Sequence, residues 1–79
     1  MEWRDRIVAT PDTLVGKPRI KGTRISVELI LDRLADGWSQ DDILVSYPHI
    51  AREDIQAALA FVAEIYREEH FVAEGKASA

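Results

Sequence analysis

The chain has 79 residues, no cysteine, and 14 acidic against 10 basic side chains, for a net charge of −4. That length holds one domain, here 1–79. The missing cysteine excludes disulfides and thiolate metal sites, and a 47% hydrophobic, 30% charged composition is too apolar for a disordered chain.

Residues 1–6 carry no apolar signal core, and no apolar run is long enough to span a bilayer. No leader and no membrane span is therefore expected, and the expected location is cytoplasmic. Arg6-Ile7-Val8-Ala9-Thr10 is short and β-branched and predicts a strand. Pro11-Asp12 and Val15-Gly16-Lys17-Pro18 predict turns, and Arg19-Ile20 a second short strand ended by Lys21-Gly22. Residues 6–24 thus form a β-arm with turns. A two-stranded ribbon is marginal alone in water, so it must pack on helices or pair with another chain.

After Arg24 the apolar period changes. Val27, Ile30, Leu31, Leu34 and Ala35 fall on one helix face. A helix is predicted over 26–36, with Ser26 as N-cap and Gly37 as left-handed terminator. A second follows over 39–47, where Ser39 and Asp42 have capping-box spacing and Pro48 stops the helix. A third spans 52–70. Ala51 is a poor cap for it, at a cost of about 1 kcal/mol, partly offset by Glu53 and Asp54 at the positive end of the helix dipole.

The apolar arc of the third helix runs through Phe61, Val72, Ile65, Ala58, Val62, Ile55, Tyr66 and Leu59 and covers about 160°, wider than the ~100° one buried face needs. Either the first two helices cover all of it, or Phe61, Ile65 and Val72 are left for a second subunit or a partner. Trp38 is expected to seal the junction of the first two helices. Trp3 is open between burial and exposure, and residues 75–79 are expected to form a loose tail.

The charge is uneven. Residues 1–24 hold six bases against three acids, a net of +3, and the remainder four against eleven, a net of −7. The cluster Lys17, Arg19, Lys21 and Arg24 contains no acid and is a candidate for phosphate or acidic-protein contact. The competing reading is a solvated loop, or an arginine that pairs internally. Three helices with a break at 48–51 fit a helix-turn-helix arrangement. In that reading Arg52, Gln56 and Arg67 of the third helix could meet nucleic acid, while Glu53 and Glu64 would repel it; Ala57 and Ala60 also lie outside the expected core.

No catalytic set stands out. Ser46 and His49 lack an orienting acid, so His49 reads as a turn residue. Asp41-Asp42 and Glu68-Glu69-His70 read as solvated helix ends, with no metal and no cofactor expected. Gly16 and Gly22 do not match a phosphate loop, because the position five after Gly16 is Lys21.

The string Gly16-Lys17-Pro18-Arg19-Ile20-Lys21-Gly22-Thr23-Arg24-Ile25, with Val27, Gly37-Trp38-Ser39, Ile43, Tyr47-Pro48, Ile55 and Ala58-Leu59, resembles the prokaryotic family named domain of unknown function 433 (DUF433) over about residues 6–67. Two departures from the family pattern stand out. Val15 stands where a glycine is frequent, and Ile50-Ala51 where Leu-Thr is frequent. The resemblance implies a mainly α, homeodomain-like three-helix bundle with a short N-terminal β-arm. It further implies a VapB-type antitoxin, not an enzyme, that masks a PIN-like ribonuclease toxin and represses its own operon by binding operator DNA. A stand-alone DNA-binding regulator is the alternative. Toxin or nucleic acid would meet Lys17, Arg19, Lys21, Arg24, Arg52 and Gln56. A homodimer is expected through the strand edges at Ile7 and Ile20 and the apolar surplus at Phe61, Ile65 and Val72.

Overall fold

The structure is a computed structural model and describes residues 1–11 and 13–68. A 3-10 turn at Trp3–Asp5 leads into β1 (Ile7–Val8). A second 3-10 turn at Leu14–Gly16 precedes β2 (Arg19–Ile20), followed by α1 (Val27–Ala35), α2 (Gln40–Ser46) and α3 (Arg52–Glu68). The molecule is mainly helical with a two-stranded ribbon near its start, as the sequence predicts. The end of the expected third helix, Val72 and the tail lie outside the described residues. No helix among the described residues is long and apolar enough to cross a membrane.

β1 and β2 pair antiparallel, with Ile7 opposite Ile20 and Val8 opposite Arg19. β2 has the expected bounds, whereas β1 stops at Val8 instead of running to Thr10; Pro18, just before β2, has no N–H to extend the ladder. Opposed residues of a ladder share a face, and here Ile7 and Ile20 both point into the helices, at 6% and 1% exposure. This corrects the expectation that they serve a dimer interface. They are part of the core of the single chain, together with Val27, Ile30, Ile43, Ile50 and Ile55.

α1 begins on Ser26, whose Oγ accepts the Leu29 N–H at 3.0 Å. It ends in a Schellman motif: the Gly37 N–H reaches the Leu34 carbonyl, and the Trp38 N–H reaches the Arg33 carbonyl, both at 3.0 Å. Gly37 has φ +97°, which only glycine adopts cheaply. Trp38 is half-buried against the core and lies under the Arg33 guanidinium at 5.1 Å. α2 carries the full capping box, with the Asp42 N–H on Ser39 Oγ at 3.0 Å and the Ser39 N–H on Asp42 Oδ2 at 2.9 Å. The bond from the Ser39 N–H favours the ionised carboxylate and holds Asp42 below the ordinary range for an aspartate.

α3 packs against the ribbon, the N-terminal turn and both other helices. Ala57 and Ala58 are fully buried, and small side chains there let neighbouring backbone approach. Ala57 therefore belongs to the core, contrary to the expectation that placed it outside.

The surplus arc of α3 is met by an element the sequence reading did not assign. Trp3 stands edge-on to Phe61, with centroids 4.7 Å apart. Its indole N–H donates to Glu64 Oε1 at 3.0 Å, and Arg4 bonds Glu64 Oε2 at 2.7 Å while lying over the Trp3 ring. The indole bond, then the Arg4 charge, hold the Glu64 carboxyl below its ordinary value. Phe61 is thus half-buried by its own chain, while Leu59, Ile65 and Tyr66 remain exposed.

Candidate macromolecular interface

The four clustered bases have three different fates. Lys17 Nζ pairs with Glu28 Oε1 of α1 at 3.1 Å, both exposed. Arg19, which faces away from the core opposite Val8, folds back on the chain. Its Nη2 donates to Thr10 Oγ1 at 3.1 Å and its Nη1 to the Thr23 carbonyl at 3.3 Å. Its Nε is buried without a partner among the described residues. Arg19 is half-buried and braces the arm instead of presenting a cation. The side chains of Lys21 and Arg24 are exposed, and neither is hydrogen-bonded or ion-paired among the described residues.

Lys21 and Arg24 stand on a turn closed by several hydrogen bonds. The Ile20 N–H donates to the Ile25 carbonyl at 2.9 Å. Thr23 donates both its N–H and its hydroxyl to the Ile20 carbonyl, at 3.0 and 2.8 Å, and its Oγ1 accepts the Ile25 N–H at 3.0 Å. Gly22 supplies the φ of +81° that the turn needs. The Gly-Thr-Arg segment of the sequence string is therefore a rigid platform with Arg24 at its tip. Thr23 and Arg19 build that platform.

The surroundings of the two free cations differ. Lys21 borders a recess it shares with Arg6 and two acids, Asp5 and Asp54. Arg24 borders a recess of about 560 Å³ with Thr23, Ile25, Leu29, Tyr47 and His49, none of them acidic. His49, expected only as a turn residue, thus stands beside Tyr47, the C-cap of α2, at this recess. The only available sign of this grouping was that Gly22-Thr23-Arg24 and Tyr47-Pro48 belong to one family string.

The other expected contact residues are dispersed. Arg52, at the start of α3, is tied to Asp41 and to Gln40 Oε1 of α2. Gln56 is exposed on α3. Asp54, expected only as a charge at the positive end of the α3 dipole, does more: its Oδ2 accepts the Ala51 N–H at 2.8 Å while Oδ1 accepts from Arg6 at 3.0 Å. It supplies the reciprocal half of a capping box, leaving the cap that Ala51 lacks unreplaced, and fastens α3 to the arm. No group of three or more His, Asp or Glu side chains could hold a metal ion among the described residues.

A family model described as "Protein of unknown function (DUF433)" matches residues 7–62. A solved structure, of a DUF433 member protein from Anabaena variabilis, superposes with a TM-score of 0.76 at 28% identity. The match covers 82% of this chain and 64% of that one, so the present chain spans less than two thirds of that protein's length. No curated protein matches.

Proposed function

The chain belongs to the DUF433 family, and from that premise we propose that it is a non-catalytic antitoxin that binds and masks a PIN-like ribonuclease in the cytoplasm. The observation that carries this reading is the pair of unpartnered cations, Lys21 and Arg24, on a turn braced by Thr23 and Arg19. A ribonuclease cleft lined with metal-binding carboxylates attracts a cation held in place, and a guanidinium can take a carboxylate in two parallel hydrogen bonds. Preorganisation reduces the ordering cost of such a contact.

Operator DNA would draw on the same two side chains. α3 opens Arg52-Glu53-Asp54, and Arg52 is already paired with Asp41. A chain of net charge −4 has little else to offer phosphates, whose neutralisation supplies most nonspecific affinity. Toxin and operator therefore compete for one turn in this reading. The protein acts as a homodimer through the exposed Ile65 side of α3, and sedimentation at high concentration showing only monomer contradicts that part.

The test is calorimetric titration of the full chain into the co-encoded nuclease. Wild type binds at micromolar concentrations or tighter. The charge-reversed Lys21→Glu/Arg24→Glu chain, altered only at exposed positions, binds much more weakly. Absence of binding by wild type, or equal binding by the double variant, overturns the reading.

A further inference from the structure

We propose that the recess between the turn at 20–25 and the end of α2 is a docking site for an acidic segment of a partner protein, with Arg24 taking a carboxylate and the recess an adjoining apolar side chain. This rests on the reading that the chain acts by binding a protein, and it names the site and the chemistry that the site accepts.

Charge complementarity gives the first argument. The chain has 14 acids and 10 bases, yet no acid among the described residues lines this recess. The Arg24 guanidinium has no carboxylate among the described residues, whereas Arg4, Arg6, Lys17 and Arg52 all have one. Among the described residues, Arg24 combines a free charge with apolar walls. Those walls are Ile25, Leu29 and the Tyr47 ring, and Ile25 and Tyr47 pack on the core from behind. The recess is an open surface depression of about 560 Å³, which would cover one side of a small apolar group such as a leucine side chain.

Both sides of the recess are fixed before anything binds. On one side the turn is closed by the Thr23 bonds and braced by Arg19. On the other, the Tyr47 N–H donates to the Ile43 carbonyl at 2.8 Å, and the Ile50 N–H to the Tyr47 carbonyl at 3.2 Å. Single-stranded nucleic acid fits this site less well. It needs cations in series along a backbone, and the nearest other free cation, Lys21, borders Asp5 and Asp54.

The test is an amide NMR titration of the isotope-labelled full chain with the tripeptide acetyl-Glu-Leu-Glu-amide. The Gln-Leu-Gln counterpart and a short thymidine oligonucleotide serve as counter-probes. The acidic peptide is expected to give saturable shifts at Gly22, Thr23, Ile25 and His49. Affinity drops about fivefold with the Gln peptide or with Arg24→Ala, the size of one exposed charge contact. Arg24→Lys falls between. Arg24 is exposed and unpaired, so Arg24→Ala keeps its fold, and unchanged Ile43 and Ile55 amides verify this. No saturable shift, equal affinity in Arg24→Ala, or stronger binding of the oligonucleotide at these amides overturns the site. A negative peptide titration with nuclease binding intact refutes the recess alone. A positive titration with no nuclease binding supports the recess and refutes the antitoxin reading.

Discussion

Val15 sits at φ +54° and ψ +36°, with 93% of its surface exposed. A β-branched side chain in the left-handed region costs roughly 1–2 kcal/mol, and here no burial offsets it. Glycine removes that strain but loses about 0.5–1 kcal/mol through the greater freedom of its unfolded chain. Val15→Gly is therefore expected to raise the urea midpoint modestly, by up to about 1 kcal/mol of stability. Val15→Asn is expected to do at least as well, since asparagine tolerates this region. A lowered midpoint in both contradicts the strain argument. The departure from the family's glycine made Val15 visible in the sequence. The different fates of Arg19 and Arg24 were not visible. Strand period places Arg19 on the outer face, but only the folded arm brings Thr10 Oγ1 and the Thr23 carbonyl under its guanidinium. Charge counting grouped four bases, of which two are free.

The ends of α1 and α2 could be read residue by residue, because their caps are local. Ser26, Gly37, Ser39 and Asp42 act within three or four positions of themselves. The start of α3 could not be read so simply, since Asp54 inside the first turn bonds back to the Ala51 N–H and its anchor is Arg6, 48 residues away. Asp54→Ala removes both and is expected to cost about 1–2 kcal/mol. Asp54→Asn keeps an acceptor for the Ala51 N–H and is expected to cost less. Equal urea midpoints for the two variants would assign the effect to the Arg6 pair alone.

Asp42 and Glu64 bring a pH dependence to α2 and α3. Both carboxyls titrate below their ordinary values in the folded chain. Their contribution is thus complete above the ordinary carboxylate range and is lost as pH falls through the lower folded values. Melting temperature is expected to fall between about pH 5 and pH 2. Asp42→Asn/Glu64→Gln is expected to melt lower at neutral pH and converge with wild type in acid. Parallel curves at all pH values would contradict this.

At the scale of the whole molecule, the sequence conveyed three helices, a ribbon and a family, but not which faces the fold uses up. Ile7 and Ile20 looked like free strand edges, and they are buried because the ribbon lies on α3. Phe61 looked spare, and Trp3 covers it from 58 positions away. Such closures depend on tertiary geometry that no local period encodes. What remains outward is an acidic, mainly helical body with a turn carrying Lys21 and Arg24, on which the proposed contact rests.

RNA cleavage by the PIN-like nuclease proposed as the partner, followed while the full chain is titrated in, tests the proposed masking most directly. Cleavage is expected to fall to background at stoichiometric addition, with the chain itself leaving RNA intact. Undiminished cleavage at a micromolar excess, or RNA turnover by the purified chain alone, would contradict it.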